Sequence, residues 1–236
     1  MTTTDDRVSE ALRSLERQGR QRVRDDMRTR YGIVTPKAFG VPMSAIQQLA
    51  KRLGRDHDLA AALWATGWYE ARLLAAYVED PAQVTAAQMD RWVRDFDNWG
   101  VCDTLCFCLF DRTSHAWRKV DQWGRRRDEF VKRAAFALLA SLALHDKRAD
   151  DAPFLRALPL IERGASDERN FVKKGVSWAL RAVGRRSRTL HQASLELARR
   201  LAESPDSAPR WVGKDAYREL ASPKVRQAVT RGKARA

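Results

Sequence analysis

Apolar residues recur along this chain at the three-to-four-residue spacing of an amphipathic helix. Leu59 with Leu63, Leu73-Leu74 with Tyr77-Val78, Phe130-Ala134-Ala137-Leu138-Leu142 and Phe171-Val172-Val176-Ala179-Leu180-Val183 each make such a stripe. The strict alternation of a half-buried strand is missing, so the pattern predicts helix almost throughout. Punctuation falls at Gly54, Gly67, Asp80-Pro81, Gly100, Gly124, Asp150 to Pro153, Gly184 with Ser187, Ser204-Pro205 and Ser222-Pro223. Those breakers cut the chain into segments of about one to two dozen residues, the size of ordinary helices joined by short loops.

A repeat lies on top of this pattern. The stretch from Phe130 to Leu138 returns 41 residues later as Phe171 to Leu180, and Tyr69 to Ala75 has a related cast. Paired helices repeating at about this length characterise HEAT-type solenoids, whose stacked pairs share a core and leave a concave face for a partner. The fold expected is all-α, a superhelical α-solenoid of HEAT-like helical repeats. Chance alignment of Ala- and Leu-rich helices is the alternative that the pattern leaves open. The organisation expected is an N-terminal helix or arm over 1–19, one repeat domain over 20–230 and a frayed basic tail over 231–236.

Composition narrows the partner. With 236 residues, 44% hydrophobic, 12 Gly and 8 Pro, the chain is neither disordered nor collagen-like. No apolar run approaches the roughly 20 residues of a membrane span, and MTTTDDRVSE has neither a basic n-region nor an apolar h-region, so a cytoplasmic protein is expected. Lys and Arg number 44 against 30 Asp and Glu, a formal charge of +14. The surplus is concentrated in 118–133 and again in 207–236. Such blocks attract a polyanion, and counterion release makes nucleic acid the leading candidate. An anionic membrane fits less well, because no segment pairs a basic face with a Trp/Phe/Leu face.

The candidate chemistry is sparse. If the segment from Asn98 is helical, Trp99 and Asp103 share a face one turn apart, where an indole and a carboxylate would both favour a positively charged or cation-developing group. The plainer alternative makes Asp97 and Asn98 helix caps and Asp103 a solvent-exposed acid. Cys102, Cys106 and Cys108 cannot converge on one metal from a regular helix and read as core thiols, while His57, His115, His145 and His191 are scattered singly. No metal site and no cofactor are expected. There is no Gly-rich phosphate loop and no G-x-S-x-G elbow, which leaves nucleotide-driven and acyl-transfer chemistry without support.

Four runs then combine into a family likeness. Lys37-Ala38-Phe39-Gly40-Val41-Pro42-Met43, Leu63 to Arg72, Met89-Asp90-Arg91-Trp92 on to Trp99-Gly100-Val101-Cys102-Asp103, and Trp178-Ala179-Leu180-Arg181 resemble, in this order, the DNA alkylation repair (AlkD-like) family. The resemblance covers roughly residues 20–230. It implies a HEAT-like superhelix whose concave, basic face holds duplex DNA, and a monofunctional, hydrolytic DNA glycosylase that excises cationic N-alkylated purines such as 3-methyladenine and 7-methylguanine. By the same resemblance Asp103, Trp99 and Trp178 are the catalytic set, and Arg133 contacts the DNA backbone. Lys132, Lys173, Lys174 and Arg181 flank those positions as further phosphate contacts. The family's N-terminal aromatic falls in register with Asp26 rather than with nearby Tyr31. The expected partner is alkylated duplex DNA bound by a monomer, with no membrane and no nucleotide cofactor. A HEAT-like protein that binds damaged or branched DNA without cutting it is the alternative, and a protein–protein scaffold would leave the +14 charge unused.

Overall fold

The computed structural model describes residues 3–231, Arg231 by its backbone alone, so the rest of the tail expected over 231–236 lies outside the described residues. Among them only helices occur: α1 (Thr4–Arg17), α2 (Gln21–Thr29), α3 (Met43–Leu53), α4 (His57–Ala65), α5 (Tyr69–Val78), α6 (Ala86–Arg94), α7 (Trp99–Cys108), a short 3-10 turn (Phe110–Arg112), α8 (Ala116–Gly124), α9 (Glu129–His145), α10 (Ala152–Gly164), α11 (Asn170–Gly184), α12 (Arg188–Ala202), α13 (Ser207–Leu220) and α14 (Pro223–Arg231). Contacts gather the chain into two units, the first ending at Ser114 and the second beginning at His115.

The helix starts follow local chemistry. Asp56, Thr85, Asn98 and Ser187 each accept a backbone N–H from the third residue beyond, and Thr3 with Asp6 closes a full capping box on α1. Gly54 and Gly67, both at φ +72°, release the chain from α3 and α4. Gly100 departs from its predicted role as a breaker. It sits buried in the first turn of α7, because a Cβ there would lie 2.5 Å from Tyr69 Oη and 3.1 Å from Ile33 Cδ1. The punctuation belongs to Asn98, and the glycine is there for close approach.

In the first unit α5 packs on α3, α4 and α7, and α1 covers α4 and α5. Trp64 of α4 stacks on Trp92 of α6 at 4.4 Å, and its indole N–H donates to Asp95 Oδ2. The second unit is layered. Helices α8, α10 and α12 make one row, α9, α11 and α13 the other, and successive members of the two rows pair. The sequence repeat is the α9–α11 contact itself, with Phe130 and Phe171 ring centres 5.4 Å apart. Cross-helix bonds keep a register of 38 residues: Arg133 to the Phe171 carbonyl, Ser177 to Asp215, Arg181 to Glu219. This is the paired-helix layering of HEAT-like repeats, and the all-α expectation holds.

The layers approach closely. A Cβ on Gly164 would overlap the Phe136 ring, and one on Gly213 would overlap the backbone of Leu201 and Ala202. The second overlap is with main chain, which cannot rotate aside. Gly213→Ala is therefore expected to lower the unfolding free energy by about 3 kcal/mol, the upper end for an overpacked methyl. Urea denaturation of both proteins checks this.

Candidate functional site

Helix α7 carries the first half of the anticipated set. Asn98 Oδ1 accepts from Val101 N at 3.0 Å while its amide donates to Asp97 at 2.6 Å, which sets the direction in which α7 leaves the loop. Trp99 and Asp103 follow one turn apart on one helix face, both half-buried. The indole N–H of Trp99 donates to the Tyr31 carbonyl at 2.8 Å, and the Tyr31 ring meets the Trp99 ring edge-on, centres 6.3 Å apart. Tyr31 is 43% exposed. The aromatic beside Trp99 is thus Tyr31, not a residue at Asp26, whose carbonyl accepts the Tyr31 N–H instead. Register counted along the sequence missed it because the chain leaves helix α2 there and turns back through Gly32.

The loop that delivers Tyr31 is anchored by a carboxylate. Glu70, fully buried at the start of α5, accepts from the backbone N–H groups of Phe39 (3.0 Å), Gly40 (2.7 Å) and Val41 (3.2 Å). Phe39 stacks on Trp68 at 4.0 Å, and Tyr69 N donates to the Lys37 carbonyl at 2.8 Å. Two of the runs that carry the family likeness, 37–43 and 63–72, are therefore two sides of one joint. Beneath α7, burial raises the Tyr69 hydroxyl's pKa well above its usual value, with the Glu70 and Asp97 charges adding to it. Burial likewise raises the Cys106 thiol, which shares a hydrogen bond with the Cys102 thiol and feels the Asp103 charge. Cys102 and Cys106 are core thiols, and Cys108 is half-buried.

The second unit holds the remaining anticipated residues on α9 and α11. Trp178 is half-buried, and with Lys174 and Arg181 it forms one stripe along α11 that the C-cap residue Arg185 extends. Few of the cations there are idle. Arg133 is only 7% exposed and donates to the Phe171 carbonyl at 2.6 Å. Lys132 donates to Asp167 at 2.9 Å, and the same carboxylate takes a two-pronged grip from Arg169. Arg181 reaches Glu219 at 2.8 Å and Asp215 at 3.7 Å, and Arg185 takes the other Glu219 oxygen at 2.9 Å. Lys173 lies over the Trp211 ring, 5.4 Å from its centre, and Lys174 is exposed. Glu70, Asp167, Asp215 and Glu219 were not singled out by sequence reasoning, since pairing across helices leaves no local spacing to read.

Two measurements follow from this wiring. Replacing Glu70 by Gln turns an acceptor toward its donors into an amide N–H, so Glu70→Gln should cost about 2–3 kcal/mol in urea unfolding. The Arg169 grip, with Lys132 second, holds the Asp167 carboxyl far below its ordinary pKa. A folded value below the unfolded one gives stability that is complete above about pH 4 and is lost as pH falls through the folded value. The stability difference between wild type and Asp167→Asn should accordingly be flat from pH 7 to 5 and shrink below pH 4.

Comparison with known proteins bears on what these residues belong to. A solved structure described as a new family of proteins related to the HEAT-like repeat DNA glycosylases, with affinity for branched DNA structures, shares the fold. Its TM-score is 0.74 at 21% identity, over 89% of this chain and 94% of that one. A designed armadillo repeat protein in complex with the peptide (KR)4 aligns over 90% of this chain and 92% of its own at 12% identity, with a TM-score of 0.36. No curated protein matches. The sequence pattern of the DNA alkylation repair enzymes runs from residue 10 to 220, through the Glu70 joint, α7 and the layered helices alike, and the chain belongs to that family.

Proposed function

We propose that this protein is a monofunctional DNA glycosylase that releases cationic N-alkylated purines, 3-methyladenine and 7-methylguanine, from duplex DNA. The observation that carries the reading is the α7 face: Trp99 and Asp103 one turn apart, with the Trp99 ring fixed by the Tyr31 carbonyl. Alkylation at N3 or N7 leaves a positive charge on the purine, so the base departs without a general acid. The C1′–N bond breaks, its electron pair neutralises the purine, and positive charge develops on the deoxyribose. An anion held beside that sugar lowers the barrier, and the Asp103 carboxylate supplies it. Water then adds at C1′, and its proton passes to Asp103 or to solvent. Trp99 offers an aromatic face to the same cation, worth on the order of 0.5–2 kcal/mol. Trp178 and Arg133, carried by the second unit, take the parts the family resemblance gives them, a second ring and a backbone contact. Lys132, Lys173, Lys174 and Arg181 add to the attraction for phosphate.

A second reading is DNA binding without bond cleavage, for the solved relative described above has affinity for branched DNA. Base release separates the two. On 7-methylguanine duplex the wild type should liberate free base, and Asp103→Asn should keep duplex binding while losing at least about 100-fold in release, the scale of one removed electrostatic group. A uracil-containing duplex should stay intact, because a neutral base is a poor leaving group. Release by Asp103→Asn at the wild-type rate, or ready uracil excision, would overturn the mechanism. Binding without release by the wild type would establish the second reading.

A further inference from the structure

Helix α13 presents part of an indole to solvent. Trp211 is 37% exposed, and Tyr217, six residues along and on another side of the helix, is 40% exposed. Lys214 and Arg218 follow Trp211 at i+3 and i+7, on the same side of the helix. From the adjacent helix α11, Lys173 places its ammonium over the Trp211 ring, and Lys174 is exposed beside it in sequence. Lys174 and Lys214 make no ion pair among the described residues, and Arg218 holds Asp215 at 2.7 Å with most of its side chain in water. The patch therefore sets Lys173 on an accessible aromatic ring with Lys214 and Arg218 along the same side of α13 and Lys174 next to Lys173 in sequence, and Asp215 is the carboxylate that Arg218 holds.

That combination has a specific ligand chemistry. Cations alone would suit any phosphate backbone, but an exposed indole is wasted on a continuous duplex, where the face of every base is covered by its neighbours. It suits a strand whose bases are unpaired, since each base then offers a face for stacking while lysines and arginines follow the phosphates. We propose that the Trp211 patch is a binding site for single-stranded DNA adjoining a duplex, with Trp211 stacking on an unpaired base and Lys173, Lys174, Lys214 and Arg218 on its phosphates. Lys173 has a part in both states. It rests on the ring in the free protein and moves to a phosphate when a base takes its place. The proposal rests on the protein's being a DNA binder and is independent of whether it releases bases.

The test compares a blunt duplex with the same duplex carrying an unpaired 3′ thymidine tail, by fluorescence anisotropy at matched salt. The wild type should bind the tailed duplex more tightly. Trp211→Ala should lose about tenfold on the tailed DNA and leave the blunt duplex unchanged, while Trp211→Phe, which keeps a ring, retains most of the preference. Lys214→Ala should lower the salt slope on the tailed DNA by about 0.7, one phosphate contact on a single strand. Equal affinity of the wild type for both DNAs, or equal losses by Trp211→Ala on both, would overturn the site. A wild type that binds neither DNA sinks the DNA-binding reading along with it. Tail preference without base release supports the site and removes only the glycosylase assignment.

Discussion

The layers of the second unit are stacked so closely that charge on their facing surfaces must be matched where it stands. Gly164 lies against the Phe136 ring and Gly213 against the turn at Leu201 and Ala202, leaving no room for a layer of water between rows. Along the α9–α11–α13 row, where neighbouring helices also pack together, a part-buried cation finds its acceptor on the next helix or the loop before it, because a charge left unpaired there costs more than a weak bond. Arg133 ends on a backbone carbonyl, Lys132 on Asp167, and Arg181 between Asp215 and Glu219. The seams of this row thus consume part of the basic surplus, at steps of 35 to 38 residues. What is left for a polyanion is charge beyond the seams, at residues such as Lys174 and Lys214.

The first unit depends on a different device. A loop rich in backbone N–H groups is drawn onto the fully buried Glu70, and the aromatic pair Phe39 and Trp68 closes over it. That joint sets where Tyr31 arrives, and Tyr31 in turn orients Trp99 through a hydrogen bond to its indole. Orientation thus rests on a carboxylate in the core at one end of the loop and on a carbonyl that holds a half-buried ring at the other. Groups held in advance contribute more to a transition state than groups that must be ordered during reaction.

Much of this was legible in the chain. Periodicity and breakers located most helices, and the Phe130/Phe171 repeat announced the α9–α11 stack. The i, i+4 spacing of Trp99 and Asp103 needed only the Asn98 cap to become a shared face. Three things were not legible, each for a physical reason. Gly100 looks like a breaker in sequence because the reason for a glycine there, the Tyr69 hydroxyl, lies on another helix. Tyr31 was out of register because loops place residues by anchoring and not by count. The internal pairing of Lys132 and Arg181 was hidden because their acidic partners lie 35 and 38 residues away, beyond any local spacing.

The thiols under α7 carry a last consequence. The thiolate, and not the thiol, is the form that reacts with electrophiles. Cys102 and Cys106 are buried beneath the face that bears Asp103, and burial together with the nearby negative charge holds Cys106 protonated. The reagents that place alkyl groups on purines attack soft nucleophiles as well. A helix lined with cysteines would be an easy casualty of the same exposure that creates its substrates. Out of water, these two sulfurs are poor targets, so the scaffold of the proposed site resists the chemical injury its family repairs.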